Sequence, residues 1–390
     1  MADLKETPSG MRTHIGVFGN TNSGKSTLIN SLTGQDVSIV SPVSGTTTDP
    51  IYKPMELSPI GPCLFIDTAG FSDDSSLGAQ RLKKTKKAAS ECDLAIWIQR
   101  DDETPGESTT LQKIIRTDIP IISVINHFSS QNILPENTDS VLHINALTGE
   151  GLAALKDRII SIAGQVSERS ILGNLVKKSD LVLLVMPQDI QAPKGRLILP
   201  QVTTLRELLD RHCITMCVST GEFEKALASL REPPKLIITD SQVFDMVYEK
   251  KPEESALTSF SVLYAGLKGD VDIYIDGARH IASLPNNAKI LIAESCSHAP
   301  MEEDIGRVKI PAMLQKHIGP NLQFDIVSGK DFPEDLSGYD LIIQCGGCMA
   351  GRQQILSRIH FAESQQVPIT NYGICIAYLK GILDKIVVAV

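Results

Sequence analysis

Gly19-Asn20-Thr21-Asn22-Ser23-Gly24-Lys25-Ser26 is the stretch on which the fold turns. It follows a short apolar run at residues 14–18 and precedes a helical pattern at residues 26–32. A glycine-rich turn between a buried strand and a helix matches G-x-x-x-x-G-K-[ST] in the context that motif requires. The glycines let backbone N–H groups turn inward around phosphate oxygens, and the helix N-terminus adds a positive partial charge. In this arrangement Lys25 reaches the β- and γ-phosphates and Ser26 holds magnesium. Gly19, Asn20, Asn22, Ser23, Gly24 and Thr27 complete the candidate nucleotide-binding loop.

Two downstream pieces fit the same chemistry. Asp67-Thr-Ala-Gly70 follows an apolar run at residues 63–66. Asp67 is placed to hold magnesium through water, and the Gly70 amide to sense a γ-phosphate. Between them lies Gly45-Thr46-Thr47-Thr48-Asp49, a loop of suitable length for a first switch. A threonine there closes on magnesium only when the γ-phosphate is present. The plainer reading is two polar turns, which their order and spacing disfavour. Further apolar runs at 94–98 and 121–125, and an amphipathic pattern over 152–162, complete an alternation of strands and helices. That alternation predicts an α/β fold with a doubly wound, mostly parallel sheet.

The chain has 390 residues, which predicts two or three domains. Its net charge of −9 argues against nucleic acid as the main partner, because neutralising phosphates needs a basic face. The one basic run, residues 81–87, reads as a solvated helix face. No stretch of about 18 uninterrupted apolar residues occurs, so no membrane span is expected. Residues 1–12 are polar and lack an apolar signal core, so a cytoplasmic location is expected. The eight cysteines are scattered, and they read as free thiols or metal ligands rather than a disulfide framework.

Beyond the nucleotide-binding part, residues 1–168, two smaller α/β domains are expected at 169–266 and 267–390. The first opens with Asp180-Leu-Val-Leu-Leu-Val-Met186 and carries no motif with chemistry. In the second, apolar runs at 289–293 and 341–343 lead into Cys296-Ser-His298 and Cys345-Gly-Gly-Cys348. Both cysteine sites therefore fall just past strand ends, where open parallel sheets collect ligands. Glycines permit the tight turn that aims two thiolates at one centre, and a third thiolate from a neighbouring strand end completes a cradle. Thiolates select zinc, copper(I) or iron–sulfur clusters. Zinc would use Cys296, His298, Cys345 and Cys348; a 4Fe–4S cluster would use the three cysteines and leave one iron open. Residue chemistry alone leaves both standing. Cys63, Cys92, Cys213, Cys217 and Cys375 lie in or beside apolar runs and read as buried small hydrophobes.

Residues 13–165 resemble the TrmE/Era-like branch of GTPases. That resemblance implies GTP as ligand, Thr47 as the switch magnesium ligand, and Lys25, Thr47 and Gly70 as the catalytic set. It also implies that Asn22 ligates a potassium ion, and that Phe71, following Asp-x-x-Gly, leaves the attacking water to be positioned by another group. Where guanine readers carry Asn-Lys-x-Asp, this chain has Asn126-His127-Phe128-Ser129, and Asn145-Ala146-Leu147 replaces Ser-Ala-Lys. A serine cannot make the charge-assisted bidentate contact to guanine that aspartate makes, so guanine selectivity is expected to be weakened.

Four segments, Ile292-Ala-Glu-Ser-Cys-Ser-His298, Glu303-Asp-Ile-Gly-Arg-Val-Lys-Ile-Pro311, Ile343-Gln-Cys-Gly-Gly-Cys-Met349 and Val367-Pro-Ile-Thr-Asn-Tyr-Gly373, resemble the C-terminal domain of the HydF family. With the GTPase part, the resemblance spans nearly the whole chain. It implies a homodimeric GTPase scaffold with slow, regulatory hydrolysis, holding a 4Fe–4S cluster on Cys296, Cys345 and Cys348. It would accept a two-iron subcluster from radical-SAM maturases and deliver it to apo FeFe-hydrogenase. Gln344 stands where that family usually has a histidine. His298 remains open as a labile ligand, a hydrogen-bond donor or a turn residue. Two other readings of the chain are an Era-like GTPase in RNA or ribosome maturation with structural zinc, and a generic nucleotide-dependent iron–sulfur carrier.

Overall fold

The computed structural model describes residues 9–34, 50–70, 78–102, 119–128, 134–167, 169–187, 197–295, 304–329 and 331–389. Thr47 and its loop, Phe71, Ser129, Cys296 and His298 lie outside the described residues. The chain divides into two compact units, Met1–Glu168 with Gly351–Ser357, and Arg169–Ala350 with Arg358–Val390.

The first unit is built on β1 (Thr13–Phe18), β2 (Ile51–Leu57), β3 (Gly61–Asp67), β4 (Leu94–Arg100), β5 (Ile121–Asn126) and β6 (Val141–Ile144). They form one sheet in the order β2-β3-β1-β4-β5-β6. Every pairing is parallel except β2 with β3. Strands β1, β3 and β4 are buried along nearly their whole length, as strands covered on both faces must be. Strand β2 was not anticipated: only Lys53 and Leu57 are buried among its seven residues, and Pro54 interrupts its pattern. A proline is tolerated because β2 is an edge strand. The helix Lys25–Thr33 buries Leu28, Ile29 and Leu32 on one stripe and ends at Gly34, whose φ of 64° is the left-handed conformation of a glycine C-cap.

The second unit holds two four-stranded sheets. In one, β7 (Leu181–Val185), β8 (Ile214–Val218), β9 (Leu236–Thr239) and β10 (Ala256–Ser259) run in the order β10-β9-β7-β8. In the other, β11 (Lys289–Ala293), β12 (Gln323–Val327), β13 (Leu341–Gln344) and β14 (Ile369–Asn371) run in the order β12-β11-β13-β14. All pairings in both are parallel. Ala293 pairs with Gln344, so the chain leaves β11 and β13 side by side at one end of the sheet. Cys63, Cys92, Cys213 and Cys375 are buried as expected, but Cys217 is exposed. The reason is position: β8 is an edge strand on which exposed and half-buried residues interleave, and Cys217 takes an outward place. Among the described residues no helix is long and apolar enough to cross a membrane.

Tyr264, on the helix Phe260–Lys268, is buried against the β7–β10 sheet and shares a 3.1 Å hydrogen bond with Thr203. Burial pushes its phenol from 10.0 up to about 12. The folded state therefore favours the neutral phenol, and that stability is intact below pH 10 and lost between pH 10 and about 12. Tyr264→Phe is expected to unfold at slightly lower urea at pH 8, by about 1 kcal/mol for the lost hydrogen bond. It is also expected to lose stability less steeply from pH 10 upward; equal steepness in urea titrations of both proteins would contradict the assignment.

Candidate functional site

The phosphate-binding loop sits between β1 and the helix Lys25–Thr33. Its shape requires glycine at three points. A side chain at Gly24, whose φ is 96°, would stand 2.3 Å from Asn126 Nδ2. One at Gly19 would stand 2.2 Å from the Ile98 carbonyl, and one at Gly70 would stand 2.5 Å from Thr21 Oγ1. No side chain caps the start of the helix, so its first N–H groups face the loop. Asn22 is exposed and also holds a left-handed φ of 62°.

Lys25 is buried, and its ammonium donates to the carbonyls of Gly19 at 3.0 Å and Asn20 at 2.6 Å. Ser26 Oγ donates to Asp67 Oδ2 at 2.7 Å, which joins the two expected magnesium residues across 41 positions of sequence. Burial raises the Asp67 carboxyl above its ordinary range; the Ser26 hydrogen bond, Lys25 and Lys53 pull it back. Thr27 is half-buried in the first turn of the helix, and Ser23 Oγ is buried with no hydrogen-bond partner among the described residues. A buried hydroxyl in a cradle of inward N–H groups suits a ligand rich in oxygen.

Asn126 ties this loop to the next. Its Nδ2 donates to the Ser23 carbonyl at 3.0 Å, and its Oδ1 accepts from the Ala146 N–H at 3.0 Å. Asn145 Oδ1 accepts from Leu147 and Thr148, shaping the turn that follows β6. Three features here escaped the sequence reading. His127 Nε2 lies 2.9 Å from His143 Nδ1, and its Nδ1 lies 3.3 Å from Asp101. The Arg100 guanidinium sits 4.9 Å from the centre of the Phe128 ring, and Lys53 donates to Asn30 from the unanticipated strand β2. His127 directly follows β5 and His143 lies on the adjacent β6, a neighbourhood that sequence spacing alone does not show.

In the second unit the Cys345-Gly-Gly-Cys348 loop leaves β13 beside the end of β11. Cys345 N–H donates to the Ala293 carbonyl at 2.9 Å, and Ser295 N–H donates to Cys345 Sγ at 3.0 Å. Gly347 takes a φ of 60° and accepts from Ala350 N–H at 3.0 Å. Lys268, only 4% exposed, donates to the carbonyls of Gly347 at 3.0 Å, Cys348 at 3.1 Å and Ala350 at 2.6 Å. Burial pushes the Cys348 thiol up, with Cys345 adding to the effect and Lys268 opposing it. Gln344 is fully buried; its Nε2 donates to Tyr274 Oη at 2.9 Å and its Oε1 has no partner among the described residues. Among the described residues no three His, Cys, Asp or Glu side chains converge on one point, and these exclude Cys296 and His298.

Comparison with known proteins bears on most of the chain. Residues 272–389 match the hydrogen maturase F tetramerization domain, residues 171–269 the hydrogen maturase F dimerization domain, and residues 14–127 the 50S ribosome-binding GTPase domain. The tRNA modification GTPase MnmE of Zymomonas mobilis subsp. mobilis is 34% identical over 167 residues, 42% of this chain and 35% of that protein. The MnmE of Legionella pneumophila (strain Corby) is 31% identical over 218 residues, 53% of this chain and 47% of that protein. The chain thus spans between a third and a half of these curated relatives. Among solved structures, Era in complex with MgGDPNP and a segment of 16S ribosomal RNA is 26% identical, covering 38% of this chain and 56% of that one. Its TM-score of 0.35 is too low to build on.

Replacing Asn126 with alanine would leave the Ser23 carbonyl and the Ala146 N–H buried and unpaired. A loss of about 2 kcal/mol of stability is expected in the first unit. Urea unfolding followed by the fluorescence of Trp97, which is buried in that unit, measures it; an unchanged midpoint would mean that the two loops hold their shape without the bridge.

Proposed function

This chain belongs to the hydrogen maturase F family, and on that footing we propose that it is a GTP-hydrolysing scaffold holding a 4Fe–4S cluster. In this reading it assembles or delivers the two-iron subcluster of FeFe-hydrogenase, with the radical-SAM maturases and the apo-hydrogenase as partners. Residues 1–168 form the GTPase domain, residues 169–266 mediate self-association and residues 267–390 bind the cluster. The match of residues 171–269 and 272–389 to dimerization and tetramerization domains supports assembly into oligomers.

The observation that carries the cluster reading is the 3.0 Å hydrogen bond from Ser295 N–H to Cys345 Sγ. Ser295 directly precedes Cys296, and consecutive Cα atoms are about 3.8 Å apart. Ser295, the residue before the third cysteine of the set, thus sits against the first cysteine of the Cys-Gly-Gly-Cys pair. A backbone N–H aimed at sulfur is also the kind of contact that stabilises a cluster-bound thiolate. The donor set fits the group: Cys345 and Cys348 lie on a loop fixed by Lys268, at a strand end, half-shielded from water. A 4Fe–4S cluster on three thiolates supplies an iron with an exchangeable position. Gln344 is committed to Tyr274, so the family's usual histidine at this place has no counterpart here.

At the other site, Lys25, which now donates to two loop carbonyls, would hold phosphate oxygens of a bound nucleotide, and Ser26 and Asp67 would hold magnesium. Magnesium supplies charge neutralisation between the β- and γ-phosphates. Thr47 and the Gly70 amide report the γ-phosphate, and Asn22 offers its side chain to potassium. Hydrolysis then serves as a timing signal for partner exchange rather than as a power source for cluster chemistry.

Anaerobic reconstitution of the full chain, followed by EPR after reduction, tests the cluster. A reduced 4Fe–4S signal is expected in the unaltered protein and is expected to vanish in Cys345→Ala; zinc without acid-labile sulfide would overturn the reading. At the nucleotide site, Lys25→Ala is expected to lose GTP affinity at least a hundredfold, about 2.7 kcal/mol. Competition by ATP is expected to reveal a preference for GTP below about a thousandfold, because Ser129 occupies the position of the guanine-reading aspartate.

A further inference from the structure

A buried cation beside the Cys345 loop remains without a use. Arg358, on the helix Arg352–Ser364, is 5% exposed. Its Nη2 donates to the Gly329 carbonyl at 2.7 Å, its Nη1 lies 3.5 Å from Ser295 Oγ, and its guanidinium rests 5.1 Å from the centre of the Phe332 ring. Among the described residues no carboxylate pairs with it. Buried guanidinium groups ordinarily have an anionic partner, because carbonyl and ring contacts replace only part of the lost hydration. Burial works against the charge on Arg358, and the groups that favour it are Cys345 first and the Tyr274 hydroxyl second. Ser295 connects the two: its N–H holds Cys345 Sγ and its hydroxyl faces Arg358.

We propose that Arg358 is the counter-charge for an anionic iron–sulfur group bound at Cys345, a positioning residue that tunes its reduction potential. The proposal rests on the cluster reading above. A 4Fe–4S core on three thiolates is an anion, and one-electron reduction makes it more negative. A fixed neighbouring cation favours the bound group over the empty site and the reduced state over the oxidised one. Arginine suits the task because its charge survives burial, and its planar fork can hold Gly329 while facing Ser295. The same reasoning makes the cluster-free protein the strained form, carrying a buried charge that no carboxylate among the described residues answers.

Full-length Arg358→Met and Arg358→Lys, reconstituted anaerobically beside the unaltered chain, test this. Reconstituted with iron and sulfide in excess, Arg358→Met is expected to reach the same loading. At a fixed applied potential its ratio of reduced to oxidised cluster should fall about tenfold, equivalent to about 59 mV for one electron, and Arg358→Lys should recover most of it. Cluster-free Arg358→Met is expected to unfold at no lower urea than the cluster-free unaltered protein. Loaded Arg358→Met with an unchanged potential would overturn the proposal. So would failure of cluster-free Arg358→Met to fold, which would make the arginine structural. If the unaltered protein takes up no iron and sulfide, the cluster reading itself fails, and that result appears before any variant is measured.

Discussion

The shape of the Cys-Gly-Gly-Cys loop rests on one ammonium group. Lys268 donates three hydrogen bonds to carbonyls spread over four residues, Gly347 to Ala350, from a position that is almost wholly buried. Charge-assisted donors are the strong members of their class, and burial leaves no water to compete for these carbonyls. Lys268 ends the helix Phe260–Lys268, inside the segment matching the dimerization domain, whereas the loop lies inside the segment matching the tetramerization domain. A side chain from one module therefore fixes the backbone of the next.

The two candidate sites solve one problem in opposite ways. At the phosphate loop the backbone presents N–H groups, and Lys25 sits on the loop carbonyls as a cation that can be given up to an anionic ligand. At the cysteine loop the backbone presents carbonyls, and a buried Lys268 binds those of Gly347, Cys348 and Ala350. Under the proposed function, the first site would bind and release its ligand while the second kept its frame. That division fits a scaffold whose nucleotide state changes while its cluster site persists.

The nucleotide site was legible because its residues are local. Eight consecutive positions and the Asp67-Thr-Ala-Gly70 motif carry that reading within the described residues, where the structure brings Ser26 to Asp67 and Asn126 to Ser23. The cysteine site was legible only as spacing. Its supports were not: Lys268 acts on residues about 80 positions away and Arg358 on a residue 63 positions away, and nothing in their local sequence distinguishes either from a solvated cation. Strand β2 escaped because Pro54 and a mostly exposed pattern hide an edge strand. Cys217 was misjudged because an apolar run says a strand is present without saying that it lies at an edge.

The central claim is that three sulfur atoms share one iron–sulfur centre where β11 and β13 end. Crystallography of the anaerobically reconstituted chain, with anomalous scattering recorded at the iron edge, tests it most directly. The account predicts one iron centre within bonding reach of Sγ of Cys296, Cys345 and Cys348 together. Iron located elsewhere, or Cys296 beyond reach of a centre held by the other two, would contradict it.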